Sequence, residues 1–392
     1  MPSDPPTDHS VPPAIHVRAQ ALEHSETVSN HLRQCIVRAG GWLSFERWMT
    51  EVLYAPGLGY YSAGSTKLAA RHTQNQAGLA GDFVTAPELS PAFGRTLAQQ
   101  VAQVLADCAD PKILEFGAGS GQLAHDILEE LKTLGFQTRY EILELSADLK
   151  QRQQQTLAPW GEQVRWVDNP GPAFDGVILA NEVLDAMPVH IVGFDQDGQA
   201  IEQGVIWTDD GFAWQSQPAS ERLTETLKAR LPALPGYITE LNLAAEAWTQ
   251  QINDWLSKGV AFIIDYGFTA SEFFHPQRHT GTLMCHIQHT AHDNPFFAPG
   301  LQDITAHVDF SAMAAAAHRS GLEVMGFTSQ ARFLINAGLA TQAARLNRHE
   351  ARALEKLVSE AEMGELFKVL AVGKQIDLPL MGFSHSDRRH QL

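Results

Sequence analysis

Cysteine is scarce: Cys35, Cys108 and Cys285 are spread over 392 positions in no metal-binding spacing. That excludes a disulfide scaffold and fits a reduced, intracellular protein whose thiols act as small buried hydrophobes. No apolar run approaches the roughly 18 residues that a membrane span needs, so membrane insertion is excluded. Basic charge is also short, with 28 Lys and Arg against 45 Asp and Glu and a formal net charge of −17. No basic patch large enough to grip phosphates is evident, which argues against a nucleic-acid partner. An acidic surface either attracts cationic partners or serves solubility alone. Histidines number 17, yet His286 and His289 belong to no H-x-x-x-H or H-E-x-x-H pattern, and no metal is expected.

A hydrophobic content of 44% is ample for a core. Its organising stretch runs from Lys112 to Gly121. Ile113-Leu114-Glu115-Phe116 is a strand-like run, and Gly117-Ala118-Gly119-Ser120-Gly121 follows at once. Leu123, Ile127, Leu128, Leu131 and Leu134 then recur at helical spacing, so the unit is strand, glycine turn, helix. This opens a Rossmann-like βαβ unit, in which glycines let backbone approach a ligand closely. The next strand, Tyr140 to Glu144, ends in a carboxylate 23 positions past Gly121, where such folds hold a ribose. The pattern G-x-G-x-G departs from that of dinucleotide sites, and Glu115 precedes the first glycine by two residues. A carboxylate there repels a pyrophosphate but welcomes an ammonium and a sulfonium, which points to S-adenosylmethionine.

Along the chain, 1–28 is expected to be a disordered lead, rich in Pro, Ser and Asp at its start and unlike a signal or transit peptide. Residues 29–108 form a helical region with a cofactor-closing loop, helices beginning near Ser29 and at Ser44. The loop carries Gly81, Asp82, Thr85, Pro87 and Glu88, which either close over a ligand or cap the following helix. The cofactor domain spans 109–375, with insertions at about 190–256 and 331–364, and is followed by a polar tail at 376–392 that is expected to fray from Phe383. Its third strand ends at Asp168, placed either to accept from an adenine amino group or to form the turn before Pro170. Its fourth, Gly176 to Ala180, runs into Asn181-Glu182-Val183-Leu184-Asp185. Ligands of open α/β sheets sit beyond the carboxyl ends of strands, which puts this polar cluster beside the donor. A fifth strand ends at Asp265, a helix is read over 305–319, and two more strands near 322–327 and 366–372 complete the set. The fold class is α/β, a class I Rossmann-like seven-stranded methyltransferase fold with helical and hairpin insertions.

These blocks resemble the MidA-like SAM-dependent methyltransferases, a family that includes a mitochondrial complex I assembly factor methylating an arginine. The matching pieces include Gly59-Tyr60-Tyr61, Gly81-Asp82-Phe83, Thr85-Ala86-Pro87-Glu88, Glu115 through Gly121, Asn181 through Val189, Ile264-Asp265-Tyr266-Gly267, and Gly300 with Asp303-Ile304-Thr305. The resemblance covers about residues 30–375 and implies S-adenosylmethionine as cofactor. For mitochondrial members it implies symmetric dimethylation of a respiratory-complex subunit. The amino terminus lacks an Arg-rich transit peptide, so a bacterial, cytoplasmic member is expected.

Methyl transfer is an in-line displacement, so the protein mainly aligns nucleophile, methyl and sulfur. A guanidinium acceptor is cationic, with a pKa above about 12, and carboxylates must hold it by paired hydrogen bonds. Glu182 and Asp185 are the candidates, with Asp265 or Asp82 assisting; the alternative is that they cap a helix. Gly81, Asp82, Thr85, Pro87, Glu88, Glu115, Gly117, Gly119, Gly121, Glu144, Asp168 and Asn181 are the candidate cofactor contacts. Rival readings are a methyltransferase for another side chain or a small molecule, an assembly chaperone, and, more distantly, a nicotinamide-dependent oxidoreductase.

Overall fold

The structure is a computed structural model describing residues 19–63, 85–288 and 290–392. Helix α1 (Ala19–Arg38) begins well before Ser29, and Val28, Leu32 and Ile36 bury one face of it. The expected lead is thus corrected over 19–28, where the polar run before Ser29 carries too few apolar residues to signal a helix; its residues 1–18 lie outside the described residues. A short β1 (Leu43–Ser44) leads into α2 (Phe45–Tyr54). Ser44 caps α2 by accepting from the Arg47 amide, and Phe45, Trp48, Met49, Val52 and Leu53 form its buried face. Next come α3 (Ala86–Leu89) and α4 (Pro91–Leu105).

The central sheet uses β2 (Lys112–Phe116), β3 (Arg139–Leu143), β4 (Val164–Trp166) and β5 (Phe174–Asn181), with α5 (Gln122–Thr133) and α6 (Ala147–Thr156) as crossovers. Chain then leaves the sheet for β6 (His190–Phe194), β7 (Ala200–Thr208), β8 (Gly211–Pro218), α7 (Glu221–Arg230) and β9 (Ile238–Leu241). These strands form a separate antiparallel sheet that β1 joins, and the turns read at Asp195–Gly198 and Asp209–Gly211 connect β6 to β7 and β7 to β8. Helix α8 (Leu243–Trp255) returns to β10 (Leu256–Phe268) in the central sheet. A short α9 (Ala270–Phe273) precedes a three-stranded sheet of β11 (Met284–Ile287), β12 (Thr290–His292) and β13 (Asp303–Thr305). The two-residue β14 (Val308–Asp309) pairs with β10, and α10 (Phe310–Ser320) starts only after it, since 303–305 and 308–309 are spent on strand pairing. The chain finishes with β15 (Glu323–Ser329), α11 (Gln330–Asn336), α12 (Leu339–Ala343), α13 (Arg348–Val358), α14 (Met363–Leu366) and β16 (Phe367–Lys374).

Seven strands of the central sheet lie in the order β15-β16-β10-β5-β2-β3-β4, with β16 antiparallel between β15 and β10. Two-residue alternation splits the core cleanly. On β10, Val260, Phe262 and Ile264 face α4 and α5, while Ala261 and Ile263 face α8 and α10. The carboxyl ends of β2, β3, β5 and β10 therefore share one edge, and the two smaller sheets stand near it.

The tail is docked, which corrects the frayed end. The Arg388 amide donates to Phe327 O at 2.6 Å, Asp387 accepts from the Phe327 amide, and Arg388 pairs with Glu365 of α14. No described helix is long and apolar enough to cross a membrane.

Candidate functional site

A cavity of about 820 Å³ opens at the carboxyl ends of β2, β3 and β5. Gly117, Gly119 and Gly121 all take left-handed backbone (φ 61°, 55° and 82°), a region that other side chains enter only with strain. Gly117, Ala118, Gly119 and Ser120 form one wall. Gly121 lies behind it as the cap of α5, so close to α6 that a Cβ there would stand 3.3 Å from Gln153 Cα.

Glu115 lines the cavity from the end of β2 and is 2% exposed. Tyr140 donates to its Oε2 at 2.9 Å, yet burial dominates and pushes its pKa up to about 8. Glu144, after β3, accepts from the Ser146 amide and from Gln153 Nε2, each at 2.8 Å. Gln153 also donates to Gly119 O at 3.0 Å and accepts from Trp166. It therefore locks the glycine turn to Glu144, a role that its place in a polar helical stretch did not reveal. Thr85, Pro87 and Glu88 face the turn, and the Ser120 hydroxyl donates to Glu88. Gly81 and Asp82 lie outside the described residues. Asp168 is exposed after β4 and is not among the lining residues.

At the end of β5, Asn181 and Glu182 turn inward, the Asn181 amide donating to Glu182 Oε1 at 3.2 Å. Glu182 holds a left-handed backbone, φ 54°, unusual for a residue with a side chain. Withdrawal from solvent, then the charge of Asp185, raises its pKa to about 8. Asp185 accepts from Tyr266 Oη at 2.7 Å, and burial raises its carboxyl to about 6. Asp265 is fully buried and is not a lining residue. Its Oδ2 accepts from the amides of Val183, Leu184 and Asp185 at 3.2, 3.0 and 3.2 Å, and its Oδ1 from Tyr266 N. The carboxylate expected to act on the acceptor instead grips the backbone that carries Glu182 and Asp185.

Three residues that sequence reasoning left without a role complete the wall. Asp303, from β13, lines the cavity and accepts from Tyr61 Oη at 2.8 Å. Tyr61 stacks on Tyr54 at 5.5 Å, and Tyr54 Oη donates to Ala186 O at 2.9 Å. Spacing could not have found them, because they come from α2, the turn after it and a different sheet. His307 lies flat on Phe268 at 4.9 Å, and burial pushes its pKa down to about 4, keeping the imidazole neutral. Six carboxylates line the cavity, Glu88, Glu115, Glu144, Glu182, Asp185 and Asp303, while its described lining contains no lysine or arginine.

Comparisons with known proteins point to the cofactor and the family. A family model described as a putative S-adenosyl-L-methionine-dependent methyltransferase matches residues 93–328. A solved likely methyltransferase from Burkholderia thailandensis, bound to S-adenosyl-homocysteine, is 45% identical, with a TM-score of 0.91 over 98% of this chain and 100% of its own. Mitochondrial protein arginine methyltransferase NDUFAF7 of Danio rerio is 27% identical over 89% of this chain and 87% of its own length. Its homologue in Caenorhabditis elegans is 25% identical over 88% and 86%. A glycine-walled cavity whose described lining has carboxyl groups and no lysine or arginine fits a nucleoside bearing an ammonium and a sulfonium, and S-adenosyl-L-methionine is the cofactor. The chain belongs to the MidA-like family of S-adenosyl-L-methionine-dependent methyltransferases.

Proposed function

We propose that this methyltransferase acts on an arginine side chain of a protein substrate. The observation that carries the reading is a described lining rich in carboxyl groups and without lysine or arginine: Glu182 and Asp185 from one loop and Asp303 from β13, all in one cavity. The same specificity is named for the NDUFAF7 relatives. When bound, S-adenosylmethionine supplies a methyl group on a cationic sulfur. Glu144 accepts from its ribose, Glu115 pairs with its ammonium, and Gly117 and Gly119 allow close approach. Thr85, Pro87, Glu88 and Asn181 frame the donor and Gly121 shapes the turn, while Asp168, outside the lining, is left without a donor contact. Glu182 and Asp185 hold the guanidinium by paired hydrogen bonds, and Asp303 holds it from the opposite wall. Asp265 is a positioning residue that fixes the Glu182–Asp185 loop.

The test is incubation of the purified protein with labelled S-adenosylmethionine and a lysate of its host, followed by mass spectrometry. Label on arginine is the expected result. Label confined to lysine or to a metabolite overturns the arginine reading and leaves the methyltransferase assignment standing.

A further inference from the structure

Outside the cavity, α1 and α2 bring together three side chains of metal-ligand type. His31 and Cys35 stand four residues apart on one face of α1, and Glu51 faces them from α2. One donor atom from each lies within 4.8 Å of the other two. His31 Nε2 is 2.6 Å from Glu51 Oε2 and 3.6 Å from Cys35 Sγ. Tetrahedral bonds of about 2.0–2.3 Å place neighbouring donors roughly 3.3–3.8 Å apart. The sulfur–nitrogen edge already has that length, and the nitrogen–oxygen edge has to open by about 1 Å or less.

Charge and access also fit. A thiolate and a carboxylate together neutralise a divalent cation, and an imidazole is neutral when it ligates. His31 and Glu51 keep 27% and 29% side-chain exposure, which leaves an ion a path from solvent, while Cys35 is buried. Arg38 Nη2 stands 3.2 Å from the sulfur. Without metal it donates to the thiol sulfur; on a metal-bound thiolate the same N–H···S contact serves as an outer-sphere hydrogen bond.

We infer that His31, Cys35 and Glu51 form a binding site for a divalent cation of the zinc class, water completing the tetrahedron. Binding releases the thiol proton to solvent and leaves the His31 proton on Nδ1. None of the three lines the methyl-transfer cavity, so the ion is a staple between two helices and takes no part in the reaction. The staple acts near the cavity, because α2 ends at Tyr54 and His24 of α1 contacts Leu58 O at 2.9 Å.

The experiment is a titration of the full-length, metal-stripped protein with Co2+, followed by absorption. A thiolate-to-cobalt charge-transfer band saturating at one equivalent, bleached by Zn2+, is expected. Zn2+ should raise the melting temperature of the wild type and not of Cys35→Ser. Glu51→Gln, at a partly exposed position, should bind Co2+ about tenfold or more weakly, which keeps the test open if the cysteine variant fails to fold. Absence of the charge-transfer band at millimolar Co2+ overturns the inference. So does cobalt bound without that band, or a band of unchanged intensity in Cys35→Ser.

Discussion

Glu115 and Glu182 are both carboxyls pushed up to about 8, for related reasons and with different consequences. For Glu115 the native value lies above the ordinary glutamate value of about 4.5, so its contribution to stability is complete below about 4.5 and is lost as pH rises through about 8. Glu115→Gln removes that dependence; denaturation midpoints between pH 4.5 and 8 should favour the variant increasingly as pH rises. An arriving ammonium favours the ionised form, so cofactor binding near neutral pH should release a proton from Glu115. Calorimetry with S-adenosylhomocysteine in buffers of different ionisation enthalpy reads that release, and the glutamine variant should lose it. At the acceptor end, Glu182→Gln should lower kcat/KM on the order of 10²–10³-fold while leaving S-adenosylhomocysteine affinity intact. A loss of both together would place Glu182 with the donor instead.

Among the elements, the glycine turn is the most exacting. Gly119 sits at φ 55°, and a β-branched side chain there is strained and occupies the cavity wall. Gly119→Val should abolish heat on addition of S-adenosylhomocysteine while the far-ultraviolet spectrum stays native. At the other end of the chain, residues 384–392 tie β15 to α14 through backbone and Arg388–Glu365 contacts, and Met363 and Leu366 of α14 line the cavity. Deleting that segment should lower the melting temperature and weaken methyl transfer together; unchanged transfer would show α14 to be held by its own packing. Strand periods on β2, β5 and β10 were plain in the sequence because each is an apolar run bounded by polar residues or glycine. The early start of α1 and the docked tail were not. Both depend on partners distant in sequence, such as Gly300 against Val28 and Phe327 against Asp387.

For the whole molecule, a net charge of −17 surrounds a cavity whose described lining has six carboxylates and no lysine or arginine. A cationic acceptor peptide is drawn by that field, which salt screens over a Debye length of about 8–10 Å at moderate ionic strength. KM for an arginine peptide should climb as salt rises from about 0.05 to about 0.5 M, and Kd for S-adenosylhomocysteine should change far less. Equal salt sensitivity of both would mean that the field does not act on the acceptor.

Local sequence by itself determined the strand-turn-helix unit at 112–134, the carboxylates at Glu115 and Glu144, and the succession of alternating strands and helices. Each of these is written in residues only a few positions apart, where period, glycine and charge act through the immediate backbone. Tertiary structure decided which acids share a space. Asp303 meets Glu182 and Asp185 only because a small three-stranded sheet folds back over the end of the central one, and Asp265 turns from the cavity because three consecutive amides claim its oxygen. Such convergence depends on the packing of whole sheets against each other, which no short stretch of residues encodes.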